Sequence, residues 1–213
     1  MTSQIQQPKK RSAFVVGGVT ILSFVALLYV VEAFDLLDGH RLEEYGIRPL
    51  ETDGLWGILF APLLHANWAH LAANTGPALV LGFLVTLAGL SRFLWATAIV
   101  WIVGGFGTWL IGNLGSSCGQ TDHIGASGLI FGWLTFLLVF GFFVRSGWQI
   151  LIGLLVLVVY GSVLWGAVPE LNVCGGVSWQ GHLCGGIAGV LAAYLLSGRE
   201  REARQRRRQR SST

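Results

Sequence analysis

Six long apolar runs restrict the fold of this chain more than any other feature of its sequence. They cover about residues 13–31, 68–89, 93–112, 126–144, 148–167 and 182–197. Because a helix rises 1.5 Å per residue, about 20 apolar residues cross the roughly 30 Å hydrocarbon layer of a bilayer. Only 12% of the residues are charged, compared with about 25% in a soluble domain. The sequence therefore predicts an all-α, polytopic integral membrane protein with six transmembrane helices.

The first run follows a basic cluster, as the apolar core of a signal peptide does. Lys9, Lys10 and Arg11 precede it, but its 19 residues exceed a typical signal-peptide core and no small-residue cleavage site follows. We interpret it as a retained span. The chain then divides into a basic N-terminus (residues 1–12), a six-helix transmembrane domain (13–198) and an arginine-rich tail (199–213).

The positions of lysine and arginine predict the orientation of the spans. Twelve of the fourteen lie before span 1, after span 6, or in the connections between spans 2 and 3 and between spans 4 and 5. Cytoplasmic segments carry the excess of basic residues, so both termini are expected in the cytoplasm. Spans 2, 4 and 6 then begin at the extracytoplasmic face. The arginine-rich tail is expected to lie near anionic lipid rather than to bind nucleic acid.

Polar residues that are costly in hydrocarbon gather near the starts of spans 2, 4 and 6. Span 2 carries His70 and Asn74, span 4 begins around Ser127, and span 6 begins at His182. A serine hydroxyl needs a neighbouring base to act as a nucleophile, and an imidazole can be that base and then protonate the leaving amine. Since the three spans begin at the same depth, Ser127 and His182 are predicted to form a catalytic dyad.

The same region offers donors for the oxyanion of a tetrahedral intermediate. His70 and Asn74 are four residues apart and project from one helix face, and the N–H groups at the start of span 4 add further donors. No acidic residue lies in spans 2, 4 or 6, so a carboxylate is not expected as a third member. His65 and His70 are five residues apart, unlike the i, i+4 histidines of helical zinc sites. We therefore expect neither a metal nor another cofactor.

Glycines are expected to bring spans 4 and 6 together. Small residues repeat every fourth position on both spans: Gly128 and Gly132 on span 4, and Gly181, Gly185 and Gly189 on span 6. Such stripes permit a close crossing of helices in membranes. Gly125 and Gly128 also flank Ser127 and leave its backbone approachable by a substrate strand.

Together these residues resemble the motifs of the rhomboid family of intramembrane serine proteases, in its basic six-span bacterial form. The matching patterns are His65-x4-His70-x3-Asn74, Gly125-x-Ser127-Gly128 and His182-x2-Gly185-x3-Gly189. The resemblance covers about residues 13–198. It implies that Ser127 is the nucleophile and His182 the general base. It also implies an oxyanion site of His70, Asn74 and the Ser127 amide, with His65 supporting the first external loop.

Two positions depart from the family pattern. The Trp-Arg pair that many relatives carry in the first external loop is replaced by Trp56-Gly57. The aromatic residue that stacks on the catalytic histidine, often a tyrosine, is here Phe131. Phenylalanine keeps the ring that stacks, so activity is expected to survive.

The resemblance implies an endopeptidase that cleaves peptide bonds in or near transmembrane segments of membrane-protein substrates. It would lie in the plasma (inner) membrane of a bacterium, with its active site open toward the extracytoplasmic side. The alternative is a non-catalytic relative that binds membrane proteins for quality control. Such relatives usually lack the serine or the histidine, and this chain has both.

Three further expectations concern the loops. His40 and His123 are expected to be solvated loop residues. The loop that ends in Ser178-Trp179-Gln180 is a candidate lid over the site. Cys118 and Cys174 fall in external loops, where an oxidising compartment would permit a disulfide between them.

Overall fold

The computed structural model describes residues 12–171, 176–198, 201–202 and 209, and these residues form mainly helices. The long helices are α1 (Ala13–Leu37), α2 (Trp68–Leu87), α3 (Leu90–Ile111), α4 (Ser127–Val144), α5 (Gly147–Tyr160, prolonged by the 3-10 segment Gly161–Ala167) and α6 (Trp179–Leu196). Each overlaps one of the six apolar runs, so the predicted all-α architecture is confirmed.

Five of these helices, α1 to α5, are long and apolar enough to cross a membrane, which makes the chain a multi-pass membrane protein. The sixth, α6, has 18 residues and begins with the polar side chains of Gln180 and His182. These two polar residues lower the mean hydropathy of α6, which is therefore not among the five helices counted above. Because α6 packs against α3 and α4, its polar first turn lies among protein side chains.

The central helix of the bundle is α4, which packs against α2, α5 and α6. The side chains of Trp133, Leu134 and Phe136 on this helix are completely buried. Nε1 of Trp133 donates a hydrogen bond of 3.0 Å to Oγ1 of Thr97 on α3, which satisfies the one polar atom of the indole. Ser127 is the first residue of α4 and therefore begins the most firmly packed element of the fold.

The outer surfaces of α1 and α5 are apolar and face away from the bundle. Val158 on α5 is 83% exposed and Val30 on α1 is 65% exposed. Large continuous apolar surfaces of this kind are rare on soluble monomers and mark contact with another apolar phase. The outer surfaces of α1 and α5 are therefore suited to contact with lipid.

The backbones of α4 and α6 meet where the sequence contains glycines. A Cβ on Gly185 would overlap the carbonyl oxygen of Gly128, and a Cβ on Gly189 would overlap that of Gly132. Oγ1 of Thr135 on α4 donates a hydrogen bond of 2.7 Å to the carbonyl oxygen of Gly186 across the same crossing. This close crossing holds the start of α4 beside the start of α6.

The connection between α1 and α2 contains the short turns Leu42–Tyr45, Asp53–Leu55, Gly57–Phe60 and Ala61–Leu63. Two indoles of α3 fasten it to the bundle. Nε1 of Trp101 donates to the carbonyl oxygen of Ile58, and Nε1 of Trp109 donates to that of Glu51, both at 2.8 Å. These bonds anchor the loop that carries Trp56-Gly57 in place of the Trp-Arg pair.

Candidate active site

The starts of α2, α4 and α6 surround one cavity of about 840 Å³. Ser127 from α4, His182 from α6, and His70 and Asn74 from α2 all line this cavity. Local capping fixes two of the three helix starts, because Asn67 Oδ1 accepts the His70 N–H at 2.9 Å and Ser178 Oγ accepts the Gly181 N–H at 3.0 Å. The four residues predicted from the sequence are therefore brought together.

The imidazole of His182 is held by two contacts. Its ring stacks on that of Phe131, with centroids 4.0 Å apart and an angle of 11° between the planes. Its Nδ1 lies 2.9 Å from the carbonyl oxygen of Gly166, in the 3-10 segment after α5. A carbonyl oxygen only accepts hydrogen bonds, so Nδ1 carries the proton and Nε2 keeps a free lone pair. This tautomer leaves Nε2 able to accept a proton.

Ser127 follows a turn that depends on a glycine. Gly125 has a φ of +115°, and its N–H donates to the carbonyl oxygen of Ala61 at 2.8 Å. A Cβ at Gly125 would lie 2.9 Å from Nε2 of His70, so the position admits only glycine. In the described part of the chain, Ser127 Oγ has no hydrogen bond to His182. Catalytic hydrogen bonds are often long in the substrate-free state.

His70 and Asn74 present donors to the cavity. Nδ1 of His70 accepts the N–H of Ala66 at 3.4 Å, so in the neutral ring Nε2 carries the proton and can donate. Nδ2 of Asn74 is buried and has no hydrogen-bond partner among the described residues. An unpaired buried donor costs about 1–3 kcal/mol. Both side chains are thus available to an oxygen atom placed in the cavity.

His65 is completely buried behind residues 123–126, the segment before Ser127 that we call the serine loop. Its Nε2 accepts the N–H of Ala126, the residue before Ser127, at 3.4 Å. Burial, reinforced by the neighbouring His70, lowers the pKa of His65 to about 4. The ring therefore remains neutral at pH 7 and keeps the lone pair that this bond requires. His65 supports the serine loop and lies behind it rather than in the cavity wall.

The expectation that His123 is solvated is wrong, because its side chain is 7% exposed. Nδ1 of His123 lies 2.6 Å from Oγ of Ser178, and Nε2 lies 2.9 Å from Oγ1 of Thr121. Its backbone pairs with that of Ile47 through two hydrogen bonds of 3.0 Å. Burial lowers the pKa of His123 to about 4. His40, by contrast, is exposed, as expected.

The last three residues of the predicted lid do not form part of a loop in the structure. Ser178 caps α6, and Trp179 and Gln180 form its buried first turn. Nε2 of Gln180 donates a hydrogen bond of 2.8 Å to the carbonyl oxygen of Leu114. These three residues are therefore part of the packed helix start rather than a lid.

The cysteines differ in state. Cys184 is a free thiol, while Cys118 is disulfide-bonded. The predicted Cys118–Cys174 pair involves Cys174, which lies outside the described residues.

Three residues of the site carry no motif in the sequence. Gly166 orients His182 through its carbonyl oxygen, which any residue could provide. His123 and Ser178 link the serine loop to the cap of α6. The one sequence signal for these residues was the position of His123, four residues before Ser127.

Two comparisons with known proteins name the same family, and two mycobacterial relatives are uncharacterized. A family model described as Rhomboid domain matches residues 52–199. An uncharacterized protein of Mycobacterium tuberculosis is 73% identical over 202 residues, which are 95% of this chain and 84% of that protein. An uncharacterized protein of Mycobacterium leprae is 68% identical over 198 residues, or 93% and 78% of the two chains. A protein of Acanthamoeba polyphaga mimivirus named as a rhomboid protein is 30% identical over 139 residues, or 65% and 73%.

Proposed function

Because the chain belongs to the rhomboid family, we propose that it is an intramembrane serine endopeptidase. Its substrates would be membrane proteins, cleaved in or near their transmembrane segments. The observation that carries the proposal is the shared cavity of Ser127, His182, His70 and Asn74. The cavity has a hydroxyl, an imidazole and two further side-chain donors in its wall, and acyl transfer would use them as nucleophile, base and oxyanion donors.

In the proposed mechanism Nε2 of His182 removes the proton from Ser127 Oγ as this oxygen attacks the scissile carbonyl carbon. The imidazolium then gives the proton to the leaving amine, and the acyl-enzyme is hydrolysed by water that His182 activates. Among the described residues no carboxylate forms a hydrogen bond with the imidazole. The carbonyl oxygen of Gly166 and the ring of Phe131 orient it. The reaction needs no metal and no cofactor.

The oxyanion would be bound by Nε2 of His70, Nδ2 of Asn74 and the N–H of Ser127. Ser127 begins α4, so its N–H has no acceptor within the helix. The unpaired Nδ2 of Asn74 would gain an acceptor only when the substrate oxygen arrives. Donors that stand in place before the reaction lower the barrier because they need no reorganisation.

We propose an orientation with residues 1–12 and the tail 199–213 in the cytoplasm, where the tail lies near anionic lipid. Both segments fall largely outside the described residues. The transmembrane domain (13–198) then opens its cavity toward the extracytoplasmic side of the plasma (inner) membrane. The partners in this arrangement are transmembrane substrates and the bilayer, and not nucleic acid.

The proposal is tested with a fluorophosphonate probe, which reacts with activated serine hydroxyls. We expect the purified protein in mild detergent to be modified at Ser127, with the site identified by peptide mass spectrometry. His182→Ala should abolish the modification, because the base that activates the hydroxyl is gone. Absence of modification in the folded wild type, or equal modification of His182→Ala, would favour the non-catalytic alternative.

A second measurement tests the oxyanion role. We expect Asn74→Ala and His70→Ala each to lower kcat by about 100- to 1000-fold, since each removes one oxyanion donor. Asn74→Asp is the matched variant, because it keeps the shape of the side chain and loses the donor. A kcat for both Asn74 variants within threefold of wild type would contradict the assignment.

A further inference from the structure

Four ionisable side chains gather where α1 ends and the following turn begins. Three possible ligand atoms lie within 4.8 Å of one another: a carboxylate oxygen of Asp35, a ring nitrogen of His40 and a carboxylate oxygen of Glu43. Nδ1 of His40 is 3.6 Å from a carboxylate oxygen of Asp35 and 3.6 Å from one of Glu43. Glu32 lies one helical turn before Asp35, on the same face of α1. We call Glu32, Asp35, His40 and Glu43 the α1 cluster.

Glu32 is the member that points to a ligand. Its side chain is 1% exposed, and neither carboxylate oxygen has a hydrogen-bond partner among the described residues. Glu32 and Asp35 are three residues apart and both are buried, so their carboxyl groups lie on the same face of α1. A buried carboxylate without a partner is strongly unfavourable, and a protonated one would still need an acceptor for its O–H. A cation bound in the cluster would give the Glu32 carboxylate a partner.

The backbone holds the other members in place. The N–H of His40 donates to the carbonyl oxygen of Asp35 at 2.9 Å, which folds the turn back onto α1. The N–H of Leu42 donates to Oδ1 of Asp35 at 2.8 Å, so Oδ2 remains for another partner. His40 has a φ of +59°, in the left-handed region, and its Nδ1 lies 3.6 Å from Oδ2 of Asp35.

The donor set selects the kind of ion. Three carboxylates carry a summed charge that a divalent cation would compensate, and their mutual repulsion opposes the apo arrangement. Hard ions such as Ca²⁺ and Mg²⁺ prefer oxygen ligands only, whereas an imidazole among carboxylates suits a first-row transition metal. We propose that the α1 cluster binds one divalent transition-metal ion, Zn²⁺ or Mn²⁺.

The position of the cluster suggests what the ion does. His40 and Glu43 line the same cavity as Ser127 and His182. A bound ion would join the end of α1 to the turn Leu42–Tyr45 at the mouth of this cavity. The assignment rests on the contacts of the cluster alone and holds whether or not the chain is a protease.

Equilibrium metal binding to the full chain in detergent tests the proposal. The purified protein is stripped with a chelator, and Zn²⁺, Mn²⁺, Ca²⁺ and Mg²⁺ are then titrated separately against a fluorescent indicator. We expect one equivalent of Zn²⁺ or Mn²⁺ to bind, with at least 10-fold weaker affinity in His40→Ala and in Glu43→Gln. Glu44→Gln is the matched control, because Glu44 is a neighbouring acid on the same cavity outside the cluster.

Both substituted residues are partly accessible, so the variants are expected to fold, and their metal-free thermal midpoints check this. Glu32→Gln is a third test variant. Its affinity for Zn²⁺ or Mn²⁺ should also fall, while the affinity of Glu44→Gln stays at the wild-type value. Unchanged affinity in His40→Ala and Glu43→Gln would overturn the site. Binding of Ca²⁺ or Mg²⁺ as tight as that of Zn²⁺ and Mn²⁺ would overturn the transition-metal assignment.

Discussion

Ser127→Ala and His182→Ala are each expected to lower cleavage of a single-span transmembrane substrate by at least about 1000-fold, because each removes one member of the dyad. Without the hydroxyl no acyl-enzyme forms, and without the imidazole no group takes its proton. In the described part of the chain no carboxylate lies beside His182 to share the role. The measurement is the initial rate of product formation by purified protein in detergent, followed by gel electrophoresis and mass spectrometry.

The double variant should be no slower than either single variant, because the two residues act as one unit. Ser162→Ala is the matched control, since Ser162 is an exposed serine in the 3-10 segment after α5. Its rate should equal that of wild type. Cleavage by Ser127→Ala at the wild-type rate, with the helical content unchanged, would show that the dyad is not the catalyst.

Gly185→Ala is expected to cause the second large loss, of both stability and cleavage. The added methyl group would overlap the carbonyl oxygen of Gly128, a backbone atom inside α4 that has no room to move aside. Overpacking of this kind costs about 1–3 kcal/mol. His182 lies one turn before Gly185, and Gly128 is next to Ser127. Separation of the helices would therefore displace the base from the nucleophile, and a 1 Å displacement can cost about 100-fold in rate.

Gly186→Ala is the matched control on the same helix. A Cβ at Gly186 would lie 3.4 Å from Cγ2 of Thr135, which is ordinary van der Waals contact. Alanine also favours the helix by about 1 kcal/mol over glycine. We expect Gly186→Ala to keep the thermal midpoint and the cleavage rate, whereas Gly185→Ala lowers both. Equal behaviour of the two variants would contradict the close crossing as the reason that the dyad meets.

Much of the candidate site could be predicted because its determinants are local or periodic. Apolar runs indicate helices of span length, and basic residues predict which helices begin on the same side. Ser127 and His182 then fall at the same depth, and glycines at every fourth position favour a close crossing. His70 and Asn74 share a face because four residues make about one helical turn. None of these inferences needs a contact between distant loops.

By itself, then, the sequence determined the helical architecture and the residues gathered at one end of the bundle. Only the tertiary structure decided which loop residues contact these side chains and orient them. Burial of His123 depends on Ser178 and Thr121, and orientation of His182 depends on the Gly166 carbonyl, a group that every residue possesses. Glu32 on α1 is likewise buried only because other segments pack against that helix. Helical periodicity is a local property, whereas these contacts form only when segments far apart in the chain pack together.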